Sequence, residues 1–262
     1  MRATIHLIRH AEGEHNLPSA PPNLTDPLLT PHGRSQCLTL RSAASQIHPR
    51  ISLITASPMT RTLQTAYLAF EPALANGHCK PKILALPDAQ EVCDYPFNTG
   101  SDLPILRERV SPAHLNIPVD LSRVTEGWNT KAPGSRYYPS RVALKARARD
   151  CRKQLFDLAS ELHDEGVKEP EIVVVAHVSI LHFLTQDWED AGKFNGGGWS
   201  NAEMRSYDLK LDEDGAGVAL VETPESRRGR GKDGVAFSAD EQEQMFERAM
   251  IEWEEQGLHP IH

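Results

Sequence analysis

The sequence predicts an α/β protein in which a mostly parallel sheet is covered by helices on both faces. Short apolar runs typical of buried strands alternate along the chain with segments whose apolar residues recur at helical spacing. Strands that alternate with helices favour parallel pairing, because the connecting helices then cover the sheet. At about 150 residues per domain, a chain of 262 residues has room for one large domain or two small ones.

The first third of the chain contains three predicted strands and two predicted helices. Thr30-Pro31 predicts a helix start, since threonine is a good N-cap and proline suits the first helical position. Pro58 predicts the start of the second helix in the same way. Short apolar runs bounded by polar residues predict strands at residues 3–8, 51–55 and 82–86.

The middle of the chain contains a long segment without periodicity. Residues 87–139 are rich in proline, glycine, asparagine and serine, which predicts an irregular insertion with short helices. Such long connections usually have a functional role in compact domains. The helical pattern returns at 140–164, and it is followed by a buried strand at 171–176 and a short helix at 179–187. Two later strands joined at 212–215 predict a hairpin.

The tail differs in composition from the rest of the chain. Residues 227–232 form a basic run with two glycines, which predicts a flexible linker. Ser238 and Glu241 are spaced as a capping box at the start of a helix. The apolar stripe of that helix consists of Met245, Phe246, Ala249, Met250 and Trp253.

We therefore predict two parts of the chain. Residues 1–223 form the α/β domain, including the insertion at 87–139, and residues 224–262 form a basic linker and an amphipathic C-terminal helix. The apolar stripe predicts that this helix docks on the domain or on a second subunit, which would give a homo-oligomer. A less favoured alternative is that the helix covers a functional site.

Charge and cysteine content exclude several classes of protein. The net charge of −8 disfavours nucleic acid and anionic membrane surfaces as partners. No apolar run approaches the roughly 18 residues needed to cross a bilayer. The N-terminus enters a strand directly, which leaves no room for a signal peptide. Four cysteines without a CxxC pair predict reduced thiols in a cytoplasmic protein.

The residues that suggest chemistry lie at the ends of predicted strands. Arg9 and His10 follow the first strand, Arg61 lies near the start of the helix after the second, and His177 follows the strand at 171–176. Open α/β sheets bind ligands at the carboxyl ends of their strands. A neutral imidazole can attack phosphorus when fixed cations hold the phosphoryl group, and arginine matches two phosphate oxygens at once.

Together these motifs resemble the histidine phosphatase superfamily, branch 1, the phosphoglycerate mutase-like group. The resemblance spans residues 5–185, and its motifs are Arg9-His10 with Gly13 and Asn16, the helix start Leu29-Thr-Pro-His-Gly-Arg34, the segment Ala56–Ala66 and the strand that ends in His177. It implies a three-layer α/β/α fold and a two-step reaction through a phosphohistidine, with no metal or other cofactor.

The resemblance also implies the role of each site residue. His10 would be the nucleophile, and His177, a second catalytic residue, would help to hold the phosphoryl oxygens. Arg9 and Arg61 would hold the phosphoryl oxygens, and Asn16 would line the same pocket. The substrate would be a small phosphorylated molecule whose identity the sequence does not reveal.

The proton donor implied by the resemblance is an acidic residue after the third strand. Glu91 matches it, and this carboxyl would act first as acid and then as base. Asp88 and Asp94 are close enough in the sequence to be alternatives.

Two further functions remain open at this stage. A phosphomutase would pass the phosphoryl group to an acceptor rather than to water, although Ala11 stands where the mutases commonly have glycine. A catalytically silent relative would use the phosphate pocket for binding or regulation. Metal catalysis is a weaker rival, because His10-Ala-Glu-Gly-Glu-His15 matches neither HExxH nor HxxEH.

Overall fold

A seven-stranded sheet forms the centre of the described chain. The computed structural model describes residues 1–192, 197–212, 217–232, 234 and 236–257. The strand order is β4-β3-β2-β5-β1-β6-β7, and neighbours are parallel except where β6 pairs with β1 and β7. The strands are β1 (Ala3–Arg9), β2 (Ile51–Ala56), β3 (Ile83–Ala85), β4 (Val119–Asp120), β5 (Glu171–Ala176), β6 (Met204–Leu211) and β7 (Val218–Glu222).

Helices cover both faces of this sheet. They are α1 (Pro31–Ala43), α2 (Thr60–Leu74), α3 (Leu103–Val110), α4 (Arg141–Asp164), α5 (Val178–Thr185), α6 (Pro224–Gly229) and α7 (Ala239–Glu255). Side chains of the central strand β5 alternate between two cores, as the two-residue period of a strand requires. Ile172 and Val174 face the core of α4, α5 and α7, whereas Val173 and Val175 face that of α1, α2 and α3. The α/β/α sandwich with a mostly parallel sheet is therefore confirmed.

Most predicted elements are present with shifts of one to three residues. Thr30 is the N-cap of α1, and its side chain accepts a hydrogen bond from the Gly33 amide. Helix α2 begins at Thr60 rather than at Pro58, because the Asp26 carboxylate accepts the Thr60 amide at 2.8 Å and caps the helix there. The insertion contains α3, as expected, and also β4, whose two residues are too few to produce a sequence period.

The late hairpin is confirmed as the antiparallel pair β6 and β7. Residues 213–215 of the predicted turn lie outside the described residues.

The basic run after residue 223 is more ordered than a flexible linker. Residues 227–229 belong to α6, so the linker prediction is wrong there. Arg230 ends this segment with ion pairs to Glu222 at 2.7 Å and Asp187 at 3.1 Å. One of these acidic partners, Asp187, is distant in the sequence, which explains why the run does not behave as its composition predicts.

Helix α7 docks on its own chain. The predicted capping box of Ser238 and Glu241 is present. Trp253 and Phe246 pack in an aromatic cluster with Trp188 and Phe183, with the two tryptophan ring centroids 5.9 Å apart. The apolar stripe of the tail is thus buried against α5 and the segment after it.

Two sequence expectations concern the surroundings of the protein. The thiols of Cys37, Cys79, Cys93 and Cys151 are all buried and unbridged. None of the described helices combines the length and apolar character that a bilayer span requires.

Gly33 allows α1 to approach the loop that carries His10. A Cβ atom at this position would overlap the carbonyl oxygen of Glu12, two residues after His10. Overpacking of this kind typically costs about 1–3 kcal/mol. Glycine at position 33 therefore fixes the spacing between the first helix and the loop.

We expect Gly33→Ala to lower the free energy of unfolding by about 1–3 kcal/mol, measured by urea denaturation. Gly229→Ala is the matched control, because a Cβ atom there has open space. Equal denaturation midpoints for the two variants would show that the close approach at Gly33 is not needed.

Candidate active site

Three adjacent parallel strands end at the candidate site. Arg9 is the last residue of β1 and His10 follows it, Ser57 follows β2, and His177 follows β5. The amide of His10 donates to Ala176 at 3.0 Å, and that of Ser57 donates to Val175 at 2.9 Å. The sheet register therefore extends to the site and brings these residues to one edge, where such sheets bind ligands.

The two predicted histidines face each other. The ring centroids of His10 and His177 are 5.1 Å apart. His10 Nδ1 donates to the carbonyl oxygen of Ala11 at 2.7 Å. A carbonyl can only accept, so Nδ1 carries the proton and Nε2 carries the lone pair. Nε2 of His10 is thus the unprotonated ring nitrogen.

The guanidinium group of Arg61 joins the two imidazoles. Its Nε atom lies 3.2 Å from His10 Nε2, and its Nη2 atom lies 3.1 Å from His177 Nδ1. Nη1 donates to the carbonyl oxygen of Phe97 at 2.8 Å, and Nη2 also donates to Asn98 Oδ1 at 3.1 Å. Because arginine only donates, both ring nitrogens that it contacts are acceptors. His177 then donates from Nε2 to the Ser57 hydroxyl at 3.0 Å.

Burial and positive charge keep both imidazoles neutral. The pKa of His10 lies well below its ordinary value because of burial first and the charge of Arg61 second. The same two causes, in the same order, lower the pKa of His177. Burial also lowers the pKa of Arg61, to about 10. The site therefore holds two uncharged imidazoles next to a cation, which suits attack on an anionic group.

Arg9 supplies a second positive charge. Its side chain is half-buried, and Nη1 donates to the carbonyl oxygen of Trp199 at 2.5 Å. Burial lowers the pKa of Arg9, whereas the charges of Glu91 and Glu203 raise it. The charge of Arg9 also contributes to lowering the pKa of His10. Both predicted arginines thus act electrostatically on the same imidazole.

Glu91 lies against the first turn of α5. Its Oε1 accepts the amides of Val92 at 2.8 Å and Ile180 at 3.2 Å, and its Oε2 accepts that of Ser179 at 3.4 Å. This turn directly follows His177, so the carboxylate lies beside the second histidine. A negative charge at a helix N-terminus is also favourable.

The two alternative acids are placed elsewhere. Asp88 is buried, but it is paired with Arg136 at 2.6 Å and accepts from Gln154 at 2.5 Å. Asp94 is exposed. Of the three acidic residues, Glu91 is the one beside His177.

Asn16 has a local contact. It is exposed, and its Oδ1 accepts the amide of Gly13 at 3.0 Å, which closes the 3-10 turn Glu14–Asn16. Its predicted role in lining the phosphate pocket stays a prediction.

His15, which the sequence offered only as part of the rejected metal-ligand pattern, lies next to His10 in the structure. Its ring centroid is 5.4 Å from that of His10, and it stacks on Phe97 at 5.4 Å. Burial, together with the charges of Arg61 and Arg9, lowers the pKa of His15 to about 2. A Cβ atom at Gly13 would lie 2.8 Å from His15 Nδ1, so glycine makes room for the ring.

Asp26 is a second residue that the sequence did not indicate. Besides capping Thr60, its Oδ2 accepts the Thr60 hydroxyl at 2.7 Å and pairs with Arg109 at 2.8 Å. Arg61 is the next residue along the helix, and the charge of Asp26 raises its pKa. Asp26 lies in a proline-rich loop without a periodic pattern, so only the folded structure reveals its role.

Metal ligation is not indicated within the described ranges. There, no group of three or more His, Cys, Asp and Glu side chains is arranged to hold a metal ion.

An α/β/α sheet with an Arg-His pair at the end of β1 and a second histidine at the end of β5 is the arrangement that the resemblance to the histidine phosphatases implies. The family model of the histidine phosphatase superfamily, branch 1, matches residues 5–80 of this chain and supports that resemblance. The match includes Arg9, His10 and Arg61.

Two curated relatives and one solved structure are similar to this chain. A phosphoglycerate mutase-like protein of Arabidopsis thaliana is 28% identical over 255 residues, which cover 84% of this chain and 89% of the relative. A protein of Schizosaccharomyces pombe named as a probable phosphatase is 32% identical over 99 residues, 37% of this chain and 45% of the relative. The structure of the ecdysone phosphate phosphatase from Bombix mori, in complex with tungstate, has a TM-score of 0.53 at 15% identity and covers 85% of this chain and 93% of its own. At that identity the likeness supports the fold alone.

The pKa of His15 makes stability depend on pH. Its folded value of about 2 lies below the ordinary value of about 6.5, so the unfolded chain binds more protons in this range. The free energy of unfolding should therefore fall as pH drops below about 6.5. We expect His15→Gln to reduce this slope by up to about 1.4 kcal/mol per pH unit, measured by urea denaturation between pH 7 and 5.

The matched control for this measurement is His32→Gln, which replaces an exposed histidine on α1. Its slope should equal that of the unsubstituted protein. An unchanged slope in His15→Gln would contradict the burial of a neutral imidazole at position 15.

Proposed function

We propose that this protein is a phosphomonoesterase that transfers a phosphoryl group first to His10 and then to water. The match to the family model and the phosphatase relatives support phosphatase or mutase-like chemistry. The observation that carries the proposal is the lone pair on His10 Nε2, which is held beside Arg61 Nε at 3.2 Å. The neighbouring His177 ring completes a pocket of imidazole and guanidinium groups.

Binding of the phosphoryl group rests on the arginines. A guanidinium donates to two oxygens of one phosphate at once, and Arg61 already directs donors toward both imidazoles. A dianion bound there would offset the positive charges that lower the pKa values of His10 and His177. Fixed donors in a buried site also stabilise the charge of the transition state without reorganisation.

The proposed reaction has two steps. His10 Nε2 attacks phosphorus, the ester P–O bond breaks, and the leaving oxygen takes a proton from Glu91. Water then attacks the phosphohistidine while Glu91 accepts a proton from it, the P–N bond breaks, and phosphate leaves. One carboxyl thus serves as acid and then as base.

The proposed substrate is a small phosphorylated molecule. Lining residues beyond the phosphate pocket would come from the loop around Phe97 and from His15, whose stacked rings lie beside His10. A screen of sugar, nucleotide, lipid and protein phosphates against the purified protein would identify its class.

We expect His10→Ala to lower the turnover of an aryl phosphate by at least about 10³-fold, because the variant lacks the nitrogen that attacks phosphorus. The unsubstituted protein should also acquire label from a radioactive phosphate ester in a bond that is labile to acid, and His10→Ala should acquire none. Far-UV circular dichroism and thermal unfolding would check that the variant is folded.

The outcomes separate the candidate functions. Turnover retained in His10→Ala would refute the nucleophile. A folded unsubstituted protein without label or turnover would indicate the silent binding protein. Label that passes to an added acceptor alcohol rather than to water in a single turnover would indicate a phosphomutase.

We expect Glu91→Gln to lower kcat/KM for an alkyl phosphate by about 10²-fold or more, because the alkoxide leaving group needs a proton. An aryl phosphate with a stable phenolate leaving group should be much less affected. Equal losses on both substrates would contradict the role of Glu91 as proton donor. Asp94→Asn is the control at an exposed neighbouring acid.

A further inference from the structure

Lys131 lies buried beneath the candidate site. It belongs to the insertion between β4 and α4, and its Nζ atom donates to three backbone carbonyl oxygens. The acceptors are Glu91 at 2.8 Å, Cys93 at 2.5 Å and Asn98 at 2.8 Å. An ammonium group has three N–H donors, so each donor has one partner.

These carbonyls belong to the two ends of one loop, residues 91–98. At its first end, the Glu91 carboxylate lies against α5 beside His177. At its second end, the Phe97 carbonyl and the Asn98 amide oxygen accept from Arg61. The single ammonium therefore connects the backbone that carries the proposed proton donor to the backbone that holds Arg61.

We propose that Lys131 is a positioning residue, which fixes loop 91–98 so that Glu91 and Arg61 are both aligned with His10. This inference rests on the proposed function. Lys131 itself contacts neither imidazole through a hydrogen bond, so its effect on the reaction passes through the loop.

The surroundings of Lys131 disfavour the charged form of its side chain. Burial lowers the pKa of Lys131 to about 7, and the charge of Arg147 on α4 acts in the same direction. Arg61 on α2 also lowers it, whereas Cys93 and Glu91 on the loop raise it. The charge of Lys131 in turn lowers the pKa of His177. Lysine is rarely buried unless it is paired, and here the compensation comes from carbonyl dipoles at both ends of the loop.

A purely structural role for Lys131 and a positioning role predict different kinetics. Loss of a structural contact reduces the amount or stability of folded protein, which scales turnover of every substrate equally. Misplacement of Glu91 instead penalises substrates whose leaving group needs a proton. The ratio of kcat/KM for an alkyl phosphate to that for an aryl phosphate is therefore the informative quantity.

The experiment uses Lys131→Met, which keeps the length of the side chain and removes the donors. We expect the ratio of kcat/KM for the alkyl phosphate to that for the aryl phosphate to fall at least about tenfold. This is less than the full rate effect of a general acid. In the double variant Lys131→Met/Glu91→Gln, the ratio should fall no further than in Glu91→Gln alone, because the two residues act through the same proton transfer.

The chain offers a matched control in Arg152. This buried cation also donates to three backbone carbonyls, those of Val218 at 2.8 Å, Phe183 at 3.0 Å and Leu184 at 3.2 Å, and none of them is in loop 91–98. Arg152→Met should lower the melting temperature and leave the alkyl-to-aryl ratio unchanged.

The results distinguish a failure of the positioning role of Lys131 from a failure of the proposed function. A ratio in Lys131→Met equal to that in Arg152→Met would overturn the positioning role while leaving the phosphatase proposal intact. Absence of turnover by the unsubstituted protein would refute the proposed function itself. Should Lys131→Met not fold, Lys131→Leu removes the same donors with another apolar side chain, and an unchanged ratio in that folded variant would equally overturn the inference.

Discussion

The site depends on the position of one buried cation, the guanidinium group of Arg61. Its donors reach His10, His177, the carbonyl of Phe97 and the side chain of Asn98. A buried charge without such partners would be strongly unfavourable, so these acceptors stabilise the cation as much as the cation orients them. Both imidazoles must be neutral to accept from it, and neutrality is the state that a nucleophilic nitrogen requires.

The local charge of the site is opposite to that of the chain as a whole. The net charge is −8, yet the pocket contains Arg9 and Arg61 with Lys131 beneath it. The nearby carboxylates of Asp26 and Glu91 accept backbone amides at the first turns of α2 and α5. Their charges thereby stabilise helix starts. The net charge of a protein indicates whether large anionic partners are attracted or repelled. The charges of the residues that line a cleft determine what binds there.

The sequence predicted the elements with a regular apolar pattern and the site residues that directly follow a strand. Short apolar runs located β1, β2, β3 and β5, and the residues directly after them included both histidines of the pocket. The roles of Lys131 and Asp26 were not predicted, because both side chains bind backbone atoms that are distant in the sequence. Such contacts produce no periodic pattern in a sequence. The position of His15 beside His10 was not predicted, because it depends on stacking with Phe97 and on the space that Gly13 leaves. The prediction of a flexible linker at 227–232 was wrong in part because two acidic partners of this basic run, Asp187 and Glu189, are remote along the chain.

The four tryptophans of the chain are all buried, and they fall into two groups. Trp188 and Trp253 form the contact between the tail helix and the domain. Trp199 accepts from Arg9 through its carbonyl, and the carbonyl of Trp128 accepts from Gln90, the residue before Glu91. Release of α7 would expose the first pair to solvent, and their fluorescence emission would shift to the red.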